Sequence, residues 1–321
     1  MALHLSHYSA VRYWLTKSGD ECVPDIESVS TLAEATANAS DLKEARLPFG
    51  FDGRRPLHVL VSDKATKRNR EDVACHVWSG PVLPGSFYGL YGASRVSSPE
   101  FTFLQMASCL SLRELVELGD YLCGAFSVDD EKQRFSGLRE PLTSVERIES
   151  FLNRSSGAYG ACKASRALRY VVDGAASPME VKLAMMFSLP AKEGGWNMPV
   201  LQLNEKIPVS KEYRALAGSQ FYFGDIYFPT VNGDIEYDSY EFHTGRHRLD
   251  HTQKRRNILE VMGVKTMSAT WDQIATFESF STFVLAVKKR FGIRVKPCSP
   301  DVGRAREGLY EFLMRPSRRM F

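Results

Sequence analysis

Three carboxylates stand in two apolar, strand-like runs: Asp225 within residues 221–228, and Glu236 and Asp238 in the run that follows Asn232-Gly233. A buried carboxylate without a partner carries a heavy desolvation cost, and a divalent cation is one way to compensate it. The chemistry such a set serves is metal-assisted phosphodiester hydrolysis. Carboxylate oxygens converge on Mg²⁺, which activates water and stabilises the charge developing on phosphate. A plainer reading competes, in which Asp225 ends a strand and Glu236 and Asp238 lie on a solvated face. The flanks Phe221-Tyr222-Phe223 and Ile226-Tyr227-Phe228 are too apolar for an exposed sheet, which brings the two readings level.

For these acids to act together, the two runs must pair as a hairpin. If Asn232-Gly233 closes a two-residue turn, paired residue numbers sum to an odd value, and side chains alternate faces with period two. Asp225, Glu236 and Asp238 then share one face. The result holds for any loop with an even number of residues, and a single bulge breaks it. Glu180 opens the preceding helix as Ser177-Pro178-Met179-Glu180. There it complements the helix dipole or adds a fourth acid to the cluster. His243 follows the second strand and could serve as general acid or phosphate ligand, although a lone His is more often structural. Together with Arg246, His247, Arg248 and His251 it forms a local positive zone. Asp250, Lys254 and Asn257 share a helix face. Lys254-Arg255-Arg256 reads equally as a solvated face and as a phosphate contact.

The remaining pattern supplies the scaffold. Helices are expected over 6–17 and 30–45, and strands over 57–62 and 73–78. A basic loop with Lys64, Lys67, Arg68 and Arg70 lies between those strands, and turn residues dominate 81–92. Ser98-Pro99-Glu100 starts a helix; helices follow over 99–108, 111–123, 144–152 and 160–172, with 124–143 polar and irregular. Beyond a boundary near Gly174 the expected order is helix 178–189, strands 199–207, 220–228 and 234–240, helix 248–262, strand 264–269 and helix 272–291. Gly263 suits a helix C-cap, and Thr270-Trp271-Asp272-Gln273 a capping box. The segment from Lys296 reads as a loosely packed tail, with room for a helical turn at Leu309–Met314.

At 321 residues the chain holds two ordinary domains. Its 44% hydrophobic and 25% charged content is that of a soluble globular protein. No run reaches the ~18 apolar residues of a membrane span, and the N-terminus has no secretory pattern. The six cysteines are scattered without a CxxC pair, which argues for free thiols in a reducing cytoplasm and against a zinc site. A net charge of +3 announces no nucleic-acid binder, so that claim must rest on local basic clusters.

Residues 177–291 resemble the very-short-patch-repair-like endonuclease domain, a branch of the PD-(D/E)xK nuclease superfamily. The matching positions are Ser177-Pro178-Met179-Glu180, Asp225, Glu236-Tyr237-Asp238-Ser239, His243, Asp250…Lys254-Arg255, Gly263 and Thr270-Trp271-Asp272. Ser239 stands where the family usually has Gly. Asp238 holds the position of the wider superfamily's Lys, as in this branch. Residues 47–123, from Leu57-His58-Val59 through Ser98-Pro99-Glu100, are similar to the AbiEi-type antitoxin region that often precedes this domain.

The resemblance implies an α/β protein with a restriction-endonuclease-like mixed sheet flanked by helices at 174–295. A smaller N-terminal α/β domain at 1–173 precedes it, and a basic tail at 296–321 follows. It implies cytoplasmic, Mg²⁺- or Mn²⁺-dependent cleavage of DNA, with no membrane partner and room for a homo-oligomer or partner protein. Asp225, Glu236 and Asp238 would ligate metal, supported by Glu180. His243 would act at the leaving group or phosphate, and Arg246, Lys254 and Arg255 would contact DNA. The alternative is a DNA-binding regulator or antitoxin-like protein with an inactive nuclease fold. A third reading, a protein-interaction module with no nucleic acid, follows from the modest net charge.

Overall fold

Serine followed by proline starts a helix because the hydroxyl accepts an orphan backbone N–H while proline pre-sets the first helical φ. The computed structural model shows this at three places. Ser98, Ser177 and Ser299 accept from the N–H of Phe101, Glu180 and Val302 at 3.2, 3.3 and 3.4 Å. The structure describes residues 2–19, 25–27, 32–44, 55–68, 70–90, 92–132, 134–238 and 246–315. The protein is mixed α/β and divides into two compact units, Met1–Val171 and Val172–Arg318. No described helix is long and apolar enough to cross a membrane.

The first unit runs β1 (His4–Leu5), α1 (His7–Thr16), β2 (Ile26–Glu27), α2 (Ala39–Glu44), β3 (Leu57–Val61), β4 (Val73–Val77), β5 (Phe87–Gly89) and β6 (Arg95–Ser97). It continues with α3 (Pro99–Met106), α4 (Leu112–Leu122), β7 (Phe126–Val128), β8 (Phe135–Leu138), α5 (Val145–Arg154) and α6 (Ala161–Leu168). Six strands form one mixed sheet in the order β2-β5-β6-β1-β3-β4, with β3 and β4 parallel. Trp14 of α1, almost fully buried, donates from Nε1 to the Ser97 carbonyl at 2.7 Å and so ties α1 to β6. Three expectations are corrected here. Among the described residues of 30–45 only Ala39–Glu44 is helical. The turn-rich stretch 81–92 contains β5, and the polar stretch 124–143 contains the β7–β8 hairpin. Short strands of three or four residues carry too little periodicity to stand out from loop composition.

The second unit runs α7 (Pro178–Ser188), β9 (Gln202–Pro208), α8 (Arg214–Ala217), β10 (Phe221–Phe228), β11 (Gly233–Asp238), α9 (Arg246–Val261), β12 (Lys265–Thr270), α10 (Trp271–Ile274), α11 (Phe277–Phe291) and α12 (Pro300–Met314). Its four-stranded sheet has the order β12-β11-β10-β9. β9, β10 and β11 are antiparallel neighbours, whereas β12 is parallel to β11 and is reached through α9. Phe187, Phe228, Phe280 and Phe291 are fully buried around this sheet. Gly233 is required where β11 begins: a Cβ there would lie 2.7 Å from the Phe291 ring. The expected helix over 272–291 is two helices, because Thr276 caps a second start through the N–H of Ser279 at 3.1 Å. The loosely packed tail is also corrected. α12 buries Leu309, Tyr310 and Leu313, and the Tyr310 hydroxyl donates to the Ile274 carbonyl at 2.7 Å.

Candidate acidic site on the second sheet

The β10–β11 register pairs Ile226 with Ile235, Tyr227 with Asp234 and Phe228 with Gly233. Each sum is odd, as the hairpin parity requires, and the connection spans Pro229–Asn232, an even-numbered loop. The ladder is recorded no further than Ile226. There the Asp225 carboxylate takes up the strand's own hydrogen-bonding capacity: its Oδ2 accepts the Tyr237 N–H at 2.9 Å. Asp225 is half-buried at the point where β10 and β11 begin to part.

Glu236 is buried and faces α9. Arg255 lies 3.0 Å from its Oε1 and Arg256 3.8 Å from its Oε2. Arg255 also donates to the Phe223 carbonyl and stacks near Tyr222. Glu180 does two jobs of a helix cap: Oε2 accepts the Ala176 N–H at 2.9 Å and Oε1 the Ser177 hydroxyl at 2.8 Å. Asn204 adds a third bond, from Nδ2 to Oε2 at 2.6 Å. Burial raises the Glu180 pKa, these hydrogen bonds oppose the rise, and Asp225 adds to it. Glu180 is therefore within electrostatic reach of the hairpin acids, while its oxygens are already satisfied by the cap.

The most perturbed carboxylate is one that sequence reasoning passed over. Asp234 is fully buried, and neither of its oxygens has a well-formed hydrogen bond among the described residues. Burial pushes its pKa up to about 8, with Glu236 and Asp225 adding to the rise. Arg255 and the Ile226 backbone N–H offset this only in part. Gly224 makes the space: a Cβ there would sit 2.6 Å from Asp234 Oδ1. The available signal was period two: Asp234 opens the expected strand 234–240 and alternates with Glu236 and Asp238, but it was not counted among the acids of the cluster.

The other expected site residues separate. Asp238 ends β11, and its side chain lies outside the described residues, as does the Arg246 side chain at the start of α9. His243 lies wholly outside them. Lys254 is exposed on α9, whereas Arg255 is turned inward onto Glu236. Among the described residues no three His, Cys, Asp or Glu side chains converge closely enough to hold a metal ion. What does suit a divalent cation is the donor chemistry. Asp225, Asp234 and Glu236 are hard carboxylate donors within electrostatic reach of one another, and both oxygens of Asp234 are buried without a well-formed hydrogen bond. Comparison with protein families, curated proteins and solved structures finds no match to this chain, so its functional reading rests on this geometry.

Proposed function

We propose that the second unit is a metal-dependent phosphodiester hydrolase acting on DNA, with a restriction-endonuclease-like sheet as its scaffold. The observation that carries the reading is Asp234, buried beside Asp225 and Glu236 with a charge deficit that a cation relieves. Asp225, Asp234, Glu236 and Asp238 are the residues that would hold Mg²⁺ or Mn²⁺, which when bound activates water and stabilises charge on the phosphate. Glu180 holds Asn204 and the start of α7 in place beside them. His243 is proposed at the leaving group or phosphate. Support for a nucleic-acid substrate comes from the same strand as Asp225. Phe221 and Phe223 are 40% and 46% exposed, and Lys206 Nζ lies 5.2 and 6.0 Å from their ring centres. Exposed rings with a cation form a surface on which bases stack. Arg246 and Lys254 would add salt-sensitive backbone contacts, whereas Arg255 is engaged by Glu236.

The test is plasmid nicking with Mg²⁺ or Mn²⁺ by the wild type, Asp225→Ala, Glu236→Ala and Asp234→Asn. The expected result is cleavage by the wild type and background in the variants; equal activity in all four sinks the assignment.

One observation favours a second reading, a DNA-binding regulator whose nuclease fold is inactive: Arg255 and Arg256 already hold Glu236. A cation that binds only the folded state raises its stability by mass action. DNA binding with no Mg²⁺- or Mn²⁺-dependent rise in the melting temperature selects the regulator.

A further inference from the structure

The first unit contains a second concentration of reactive side chains. His58 on β3 and His76 on β4 project from parallel strands, and His58 Nδ1 lies 2.8 Å from His76 Nε2. A contact of that length between two ring nitrogens holds a single proton, donated by one ring and accepted by the other. The His7 ring stacks on His76 with centres 3.6 Å apart. His7 occupies the first position of α1 with φ +46°, a left-handed conformation uncommon outside glycine. The side chain of Gln105, on α3, accepts the His7 N–H at 3.2 Å and holds it there. Strain of this kind persists where surrounding structure enforces it, often at ligand sites.

His7 and His76 line a cavity of about 540 Å³ together with Lys64, Lys67, Trp78 and Tyr159. Among the described residues lining it there is no Asp or Glu. The wall therefore offers ammonium groups, imidazole nitrogens and the Ser108 hydroxyl, and no carboxylate to repel an anion. The volume falls in the range of small-molecule sites. Trp78 and the largely exposed Tyr159 are the aromatic members of its lining. Burial lowers His58 and His76 to about 4 and His7 further, so at neutral pH the lysines supply the charge, and His76 supplies an Nδ1–H in the tautomer whose Nε2 accepts from His58.

We propose that this cavity binds a phosphate ester of nucleotide size, its phosphate held by Lys64, Lys67 and His76 and its planar part beside Trp78 and Tyr159. The proposal concerns the first unit alone and stands whether or not the second unit cleaves DNA.

The test is calorimetric titration of the full chain with adenosine 5′-monophosphate and with adenosine. Lys64→Gln/Lys67→Gln alters only exposed side chains, and His76→Gln provides an independent variant. The expected result is saturable binding of the monophosphate, none of adenosine, and a loss of about tenfold or more in each variant, as charge-assisted contacts are removed. Absence of monophosphate binding at millimolar concentration, equal binding of adenosine, or affinity unchanged in the lysine variant overturns the proposal.

Discussion

Asp234 and His76 are both ionisable residues on strands near the interior of their units, yet burial moves them in opposite directions. Asp234 rises to about 8 and His76 falls to about 4. In each case the low-dielectric surroundings penalise the charged form. The two regions differ in what accompanies that penalty. His76 shares a proton with His58 at 2.8 Å, so its uncharged form is satisfied within the protein. Asp234 has no well-formed hydrogen bond of that kind among the described residues, is offset only in part by Arg255 and the Ile226 N–H, and is coupled to two further carboxylates. A satisfied neutral cluster is a donor surface waiting for an anion; an unsatisfied acidic cluster is short of a cation.

The largest expected effect tests whether the two units respond separately. Phe228→Ala removes a fully buried ring packed against Phe187 and Phe291. A loss of about 3–5 kcal/mol from the second unit is expected, read by denaturant unfolding. Hydrogen exchange in the first unit should be unchanged, and equal loosening of both would remove the basis for treating them separately.

Next in size is the acid response of the second unit. Between about pH 4 and pH 8 the folded unit keeps a proton on Asp234 that the unfolded chain has released. Stability therefore falls as pH rises through that window. Asp234→Asn should flatten the fall, gaining on the order of a few kcal/mol at pH 8 relative to pH 5. Melting curves of both proteins across that range check it, and parallel pH profiles would count against the burial argument.

The first unit should respond the other way. His7, His58 and His76 are held neutral when folded, whereas the unfolded chain takes up protons below the ordinary His value of 6.5. Stability is then lost as pH falls from about 6.5 towards 4. Hydrogen exchange resolved by peptide, at pH 5 and pH 7, should show β3, β4 and the start of α1 opening first on acidification. Loosening confined to the second unit would contradict it.

The smallest effect belongs to Lys254, exposed on α9. Lys254→Ala should leave stability within about 0.5 kcal/mol and lower the slope of log affinity against log salt for DNA by about one. An unchanged slope removes Lys254 from the proposed contact surface.

Local signals were legible where short-range chemistry decides the outcome. Ser98-Pro99 and Ser177-Pro178 cap helices because a hydroxyl and a fixed φ act within one turn. Ser299-Pro300 carries the same signal inside the segment read as a loosely packed tail, and Leu309, Tyr310 and Leu313 at helical spacing supply the buried face. Hairpin parity was legible because an even loop forces an odd sum whatever the turn type. Asp234 was placed in the expected strand 234–240, but its burial was not legible, because it depends on the space left by Gly224 across the sheet.

The sequence by itself determined which residue types were available: carboxylates alternating along one strand, an aromatic run opposite them, and histidines on two β-branched segments. Those follow from composition and period. Tertiary structure alone decided their chemistry. The inward turn of Arg255 places a cation on Glu236, and the space over Gly224 leaves Asp234 buried without a well-formed hydrogen bond. The parallel pairing of β3 with β4, with α1 docked beside them, brings His7, His58 and His76 into one cluster. Desolvation and charge coupling act through space rather than along the chain, so partners distant in sequence set the charge state of each group.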